Sequence, residues 1–400
     1  MGKPAGFKIS VARARLSSRG EADGPSGGNN RRARDMDRPG RDDPPEVPPE
    51  ISLSTLETIL DLETIEVAPR AKDGASTSAR AGDGSAQLDI FRGKNLREGR
   101  FTPRTFGGQL VGQSLVAASR TVDPHMVPHS LHSYFLLPGD AYVPYVYTVE
   151  RLRDGRSFAT RRVVARQKGQ AVFHMSVSFQ AREEGFTHQS PMPRGVPPPE
   201  SVPSQEELAH RFKDDPRVPD AMRGYLRKRL MLPFPIDLRI IRASVGGEGE
   251  GGEVQEPWLA PLIAGDSRSD RAASEAKQMA WIRAPRLGDD PTLHYCVAAY
   301  SSDFALLETS LLPHRQTIPS PQIQAASLDH SMWFHAPFRA DEWLLYVMTS
   351  PAASGGRGLT FGRLYNRSGT LVCTVAQEGL IRKLSTGQGM KRGFQSRSKL

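Results

Sequence analysis

Hydrophobic positions fall into two patterns along this chain. Val111, Leu115, Ala118 and Val122 recur at the spacing of one helix face, and Phe304, Leu307 and Leu311 form a similar stripe. Ala171, Phe173, Met175, Val177 and Phe179 alternate with Val172, His174, Ser176 and Ser178, which predicts a half-buried antiparallel strand. Leu53 to Ile65 reads as a short amphipathic helix with Leu56, Ile59 and Leu60 on one face. Glu206 to Arg229 reads as another helix. Helices laid on antiparallel sheet make the fold class α+β.

The pattern occurs twice. His132-Ser-Tyr-Phe resembles His330-Ser-Met-Trp-Phe, and the turn Gln167-Lys-Gly-Gln170 resembles Arg367-Ser-Gly-Thr370, about 200 residues on. One duplicated unit gives this order: a disordered basic extension over 1–50, a first domain over 51–182 with a flexible Gly/Ser/Ala insertion at 68–86, a linker and insertion region over 183–275, a second domain over 276–384, and a flexible tail over 385–400. Pro191 to Pro203 predicts extended polyproline backbone, and Val245 to Glu256 a Gly/Glu surface loop.

Composition narrows the class. The 400 residues carry 53 basic against 44 acidic side chains, a net +9 that suits an anionic partner. No nucleic-acid-binding motif accompanies the charge. The two cysteines, Cys296 and Cys373, sit in apolar runs and read as reduced core residues. No apolar run reaches the roughly 18 residues that a membrane-spanning helix needs, so no membrane span is expected.

Candidate chemistry concentrates in the second copy. Ser327-Leu-Asp-His-Ser-Met-Trp-Phe-His335 sets hydroxyls, a carboxylate and two histidines among bulky apolar residues. Tyr300-Ser-Ser-Asp303 precedes it, read as the start of an amphipathic helix. Gln377 shares strand parity with Cys373, Val375 and Ile381, so its amide points to the apolar side. A carboxylate, a hydroxyl and an amide around one water suit hydrolysis. Taken singly, each has a plainer role: first-turn acid, strand-start hydroxyl, cross-strand hydrogen bond. The first-copy counterpart of Gln377 is the apolar Val177. His129, His132, His330 and His335 lack a Cys or carboxylate at ligand spacing, so no metal is expected. Asp329 reads as structural. Gly107-Gly108 at a helix start can aim backbone N–H groups at a substrate carbonyl, or simply make a tight turn.

Together with Arg104-Thr-Phe-Gly-Gly-Gln-Leu-Val-Gly-Gln113, His129-Ser-Leu-His-Ser-Tyr-Phe-Leu-Leu-Pro-Gly-Asp140, Glu150-Arg-Leu-Arg-Asp-Gly-Arg-Ser-Phe158 and Thr374-Val-Ala-Gln-Glu-Gly-Leu-Ile-Arg382, these segments closely resemble the type II acyl-CoA thioesterases. The resemblance runs from Ile51 to Lys383, with interruptions. It implies a double hotdog, two helix-wrapped antiparallel sheets in one chain. It implies hydrolysis of fatty acyl-CoA by a water held by Asp303, Ser327 and Gln377, with Asp303 as base, an acyl-CoA substrate, no cofactor, and a homo-oligomer. The rival readings are a hotdog enoyl-CoA hydratase or dehydratase and a non-catalytic acyl-CoA-binding protein. Ser398-Lys399-Leu400 is the tripeptide of the peroxisomal import receptor and points to the peroxisomal matrix. The basic, acid-free stretch from Met1 to Gly20 makes the mitochondrion the competing address.

Overall fold

The computed structural model describes residues 54–66, 88–93, 104–231, 234–241, 275–314, 316–318, 320 and 323–384. The readings made for 1–50, 68–86, Val245 to Glu256 and 385–400 lie outside them. In chain order the elements are α1 (Ser54–Leu60), β1 (Leu62–Ile65), β2 (Leu88–Gly93), α2 (Gly107–Ser119), β3 (Met126–Phe135), β4 (Tyr145–Asp154), β5 (Phe158–Gln167) and β6 (Gln170–Ala181). Then come α3 (Gln205–Phe212), α4 (Asp220–Met231), β7 (Asp237–Ile241), β8 (Lys277–Arg283), α5 (Pro291–Ser301), β9 (Ile323–Ser327), β10 (Asp329–Phe334), β11 (Leu344–Ser354), β12 (Arg357–Asn366) and β13 (Leu371–Lys383).

The strands form one antiparallel sheet in the order β1-β2-β4-β5-β6-β3-β10-β13-β12-β11-β8-β7, with β9 also on β13. The order reads outward from the centre as the same motif twice. β3-β6-β5-β4 on one side answers β10-β13-β12-β11 on the other. The halves meet edge to edge where β3 pairs β10, His132 opposite Ser331 and Ser130 opposite Trp333. Each half thereby covers the other's open strand edge. The register corrects one alignment made from sequence. The structural partner of His330 in the first half is Leu131, not His132. Each faces the strand that follows its turn, and Leu131 pairs Val177. A slip of one residue changes the face: His132 is exposed and His330 wholly buried.

Three helix readings change. Within Leu53 to Ile65 the helix is Ser54–Leu60; Leu62 onward pairs with β2 as a strand. Glu206 to Arg229 is two helices, because Pro216 and Pro219 interrupt the run. Ser204 caps α3, accepting from the Glu207 N–H while the Glu207 carboxylate accepts from its own. The stripe Phe304, Leu307, Leu311 is buried as expected, but Leu307–His314 is a 3-10 helix. β7 lies in the stretch read as linker, yet it pairs β8 and so extends the second half of the sheet. The Pro-rich stretch is strapped along that half's outer face. Trp281 Nε1 donates to the Pro197 carbonyl at 2.9 Å, and Met192 and Val196 pack on Trp281, Trp343 and Tyr365.

α2 and α5 lie against each other, antiparallel, inside the curved sheet. Val111, Leu115 and Ala118 on α2 are fully buried, as are Phe173, Met175 and Phe179 on β6. Gly112 makes the helix approach possible, and its neighbours are helices rather than the sheet. A Cβ there would lie 2.8 Å from Leu60 Cδ2 and 3.1 Å from the Cys296 carbonyl oxygen. Gly112→Val therefore forces α1 and α5 away from α2. Overpacking of this kind costs about 1–3 kcal/mol, so thermal unfolding should move down by about 1–4 °C. An unchanged melting temperature would show that the helices are not held this closely.

Candidate active site

Asp303 follows the C-terminal end of α5, where Ser302 caps the helix; it does not open one. A carboxylate at a helix C-terminus is electrostatically disfavoured. The compensation comes from the other half of the chain. The Gly108 N–H, in the first turn of α2, donates to Asp303 Oδ2 at 2.9 Å. Two glycines allow that approach. A Cβ on Gly107 would sit 2.8 Å from Asp303 Oδ2, and one on Gly108 only 2.2 Å from the Tyr300 carbonyl oxygen. The Gly108 amide, read from sequence as one way to polarise a substrate carbonyl, holds the carboxylate instead.

Ser327 and Gln377 reach the same carboxylate from the sheet. Ser327 pairs Gly379, whereas Ser331 pairs Ala376, so the β9–β10 strand carries one residue more than β13 between those points. This bulge sits at Leu328 and Asp329. Asp329 Oδ1 accepts from the Glu378 N–H at 2.7 Å and locks it, a structural role as expected. The bulge leaves Ser327 and Gln377 on one face. Gln377 Nε2 donates to Asp303 Oδ1 at 2.9 Å and to Ser327 Oγ at 2.6 Å; Ser327 Oγ reaches Asp303 Oδ1 at 3.5 Å. The three residues singled out from sequence thus share one cluster, and Gln377 is wholly buried.

A supporting layer escaped sequence reasoning. Tyr346 Oη donates to the Ser302 carbonyl at 2.7 Å and fixes the turn that presents Asp303. Its ring fits because Gly362 has no side chain; a Cβ there would be 2.3 Å from Tyr346 Cε2. Burial, with the Asp303 charge nearby, pushes the Tyr346 phenol well up, so it stays a donor. Phe106 stacks on Phe304 at 4.4 Å between ring centroids and meets Tyr300 edge-on, making an aromatic wall at the α2–α5 junction. Only spacing to a glycine on the neighbouring strand could have hinted at Tyr346.

Three of the four strand histidines take hydroxyl partners outside the cluster: His129 with Ser178 at 2.8 Å, His132 with Ser331 at 3.2 Å and His335 with Thr374 at 2.7 Å. Among the described residues no group of His, Cys, Asp or Glu is arranged to hold a metal ion. His330 differs. Its Nε2 lies 2.8 Å from Ser302 Oγ, and burial drives its pKa down to about 4, partly opposed by the Gln377 side chain.

The first half keeps the geometry without the chemistry. Thr121 stands where Asp303 does, one residue past the helix cap, and Pro128, opposite Phe179, matches Ser327, opposite Gly379. Val177 matches Gln377, facing Arg161 as Gln377 faces Thr360. The buried Arg161 fills this space, donating from Nε to Thr121 Oγ1 at 2.8 Å and pairing with Asp154.

A curved double sheet around two helices, with a carboxylate, an amide and a hydroxyl gathered at their junction, defines a double-hotdog protein with a hydrolase-like site. The profile described as "Acyl-CoA thioesterase" matches residues 267–380, and "Acyl-CoA thioesterase N-terminal domain" matches 97–180. The chain is 43% identical over 300 residues to acyl-coenzyme A thioesterase 8 of Mus musculus, covering 74% of this chain and 85% of that protein. It is 26% identical over 303 residues to peroxisomal acyl-coenzyme A thioester hydrolase 1 of Saccharomyces cerevisiae, covering 69% and 85%. The solved structure of the acyl-CoA thioesterase II TesB2 from Mycobacterium marinum superposes with a TM-score of 0.58 at 38% identity, over 82% of this chain and 99% of that one. The chain belongs to the acyl-CoA thioesterase family.

The low pKa of His330 has a consequence for stability. Between about pH 6.5 and pH 4 the unfolded chain binds this proton and the folded chain does not, so stability falls as pH falls through that window. A shift of this size corresponds to roughly 3 kcal/mol. Denaturant unfolding at pH 7 and pH 4.5 should show a smaller acid loss in His330→Asn than in the parent. Burial also lowers His129 and His335, and both proteins keep those. Equal losses would show that His330 is not held neutral by the fold.

Proposed function

We propose that this chain hydrolyses fatty acyl-CoA, using a water held by Asp303, Ser327 and Gln377. The single observation that carries the assignment of residues is the Gln377 amide donating to both Asp303 and Ser327 beside a helix-anchored carboxylate. In this reading Asp303 takes a proton from water as the water oxygen bonds to the thioester carbonyl carbon. The C–S bond then breaks, and the proton passes to the departing CoA thiolate. Products are the free acid and CoA. A thioester is already activated and water is the nucleophile, so the reading calls for no cofactor. No G-x-S-x-G elbow surrounds Ser327, which argues for an orienting hydroxyl rather than a nucleophile.

Free-thiol release from acyl-CoA by the purified protein tests the activity and separates it from hydration of an enoyl-CoA and from mere binding. Asp303→Asn should fold normally and lose about 10²–10⁴ of kcat, because an amide cannot take the proton. Near-parental kcat would remove Asp303 from the base role. Gln377→Ala should lower kcat with little change of pH profile, and Ser327→Thr should be tolerated. A trapped acyl-Ser327 species would replace this scheme with a nucleophilic one.

The reading extends to location. Ser398-Lys399-Leu400 has the form of the tripeptide that the peroxisomal import receptor reads, and the yeast relative is named as peroxisomal. Deleting Leu400 should move a tagged protein from peroxisomes to cytosol, and deleting Met1 to Gly20 should not. Mitochondrial staining lost on the N-terminal deletion alone would reverse the assignment. The homo-oligomer implied by the family resemblance belongs to the same reading.

A further inference from the structure

Two buried polar atoms beside the site have no direct hydrogen-bond partner: His330 Nδ1 and Gln377 Oε1. Both side chains are wholly buried. The strand register sets them side by side. Ser331 is opposite Ala376 on β13, so the preceding residue, His330, falls opposite Gln377. The matching pair in the first half is Leu131 opposite Val177, both apolar. The half without the glutamine also lacks the histidine.

Proton accounting then fixes the direction of every bond. Both Gln377 Nε2 protons are engaged, by Asp303 Oδ1 and Ser327 Oγ. Turning the amide over would press Oε1 against the Asp303 carboxylate. Oε1 therefore faces His330 as an acceptor and needs a donor. Were the imidazole proton on Nε2, the Nδ1 lone pair would oppose the Oε1 lone pair, and two buried acceptors would stay unsatisfied. With the proton on Nδ1, Nε2 accepts from Ser302 Oγ, 2.8 Å away. The Ser302 hydroxyl also lies 3.0 Å from the Ala299 carbonyl and 3.3 Å from Met332 Sδ, both longer than its contact to His330.

We infer that His330 is a positioning residue: its Nδ1–H donates to Gln377 Oε1 and holds the amide in the one orientation that aims both N–H groups at Asp303 and Ser327. The chain of donors runs Ser302 Oγ to His330, His330 to Gln377, and Gln377 to the water-holding pair. This rests on the functional reading above for its link to turnover, but the orientation of the chain does not.

The test has one arm that needs no turnover. In the full-length protein labelled with nitrogen-15 histidine, the His330 signals, assigned by their loss in His330→Asn, should report a neutral ring protonated on Nδ1 at pH 7. A neutral ring protonated on Nε2 would overturn the inference whether or not the protein hydrolyses thioesters. The kinetic arm uses acyl-CoA. His330→Leu should lower kcat about 10–100-fold, the scale on which loss of an orienting partner acts, with KM little changed. His330→Asn, whose amide nitrogen overlays Nδ1, should recover most of that loss. In a Gln377→Ala background His330→Leu should add almost nothing, because one partner of the bond is already gone. Losses that multiply in the double variant, or Asn no better than Leu, would assign His330 to packing alone.

Discussion

The hydrogen bond from the Gly108 N–H to Asp303 Oδ2 is the constraint on which the site depends. It joins the start of α2 in the first half to the end of α5 in the second. Without it, a carboxylate would stand at a helix C-terminus, where the backbone dipoles repel it. With it, the positive end of α2 meets the carboxylate and the two halves are tied at the candidate site. The requirement explains the small residues around it. Gly107 and Gly108 admit the carboxylate and the Tyr300 carbonyl, and one turn later Gly112 admits the Cys296 carbonyl. The antiparallel helix pair and the site share this one close approach.

The two halves present equivalent junctions, and only one carries the candidate polar set. Both halves retain a bulge at the same place, at Pro128–Ser130 and at Ser327–Ser331. At the second, a hydroxyl, a carboxylate, an amide and an imidazole meet. At the first, Pro128, Thr121, Val177 and Leu131 occupy those positions, and the Arg161 guanidinium closes the space. The first half contributes instead the Gly108 amide and the aromatic ring of Phe106 to the junction.

Much of this was legible in the sequence, for stated reasons. Strand parity placed Gln377 inward, and alternation placed Phe173, Met175 and Phe179 in the core. The family motifs placed Asp303 and Ser327 with Gln377. What was illegible turned on small displacements and on distance in sequence. Asp303 ends a helix instead of starting one, because the apolar stripe after it belongs to a 3-10 segment. His330 was matched to His132, one residue off, and that slip hid its burial beside Gln377. The reach of Gly108 across 195 positions to Asp303, and the Tyr346 ring over Gly362, depend on packing that no local pattern carries.

The central claim is that water itself, held by Asp303, attacks the thioester. A single turnover in oxygen-18 water, with enzyme in excess over acyl-CoA, tests it most directly. Direct attack predicts acid carrying one oxygen-18 atom and an Asp303 peptide of unchanged mass. Acid free of oxygen-18, with the label appearing in the Asp303 carboxylate, would mean that Asp303 forms a bond to the acyl group, and would contradict the account.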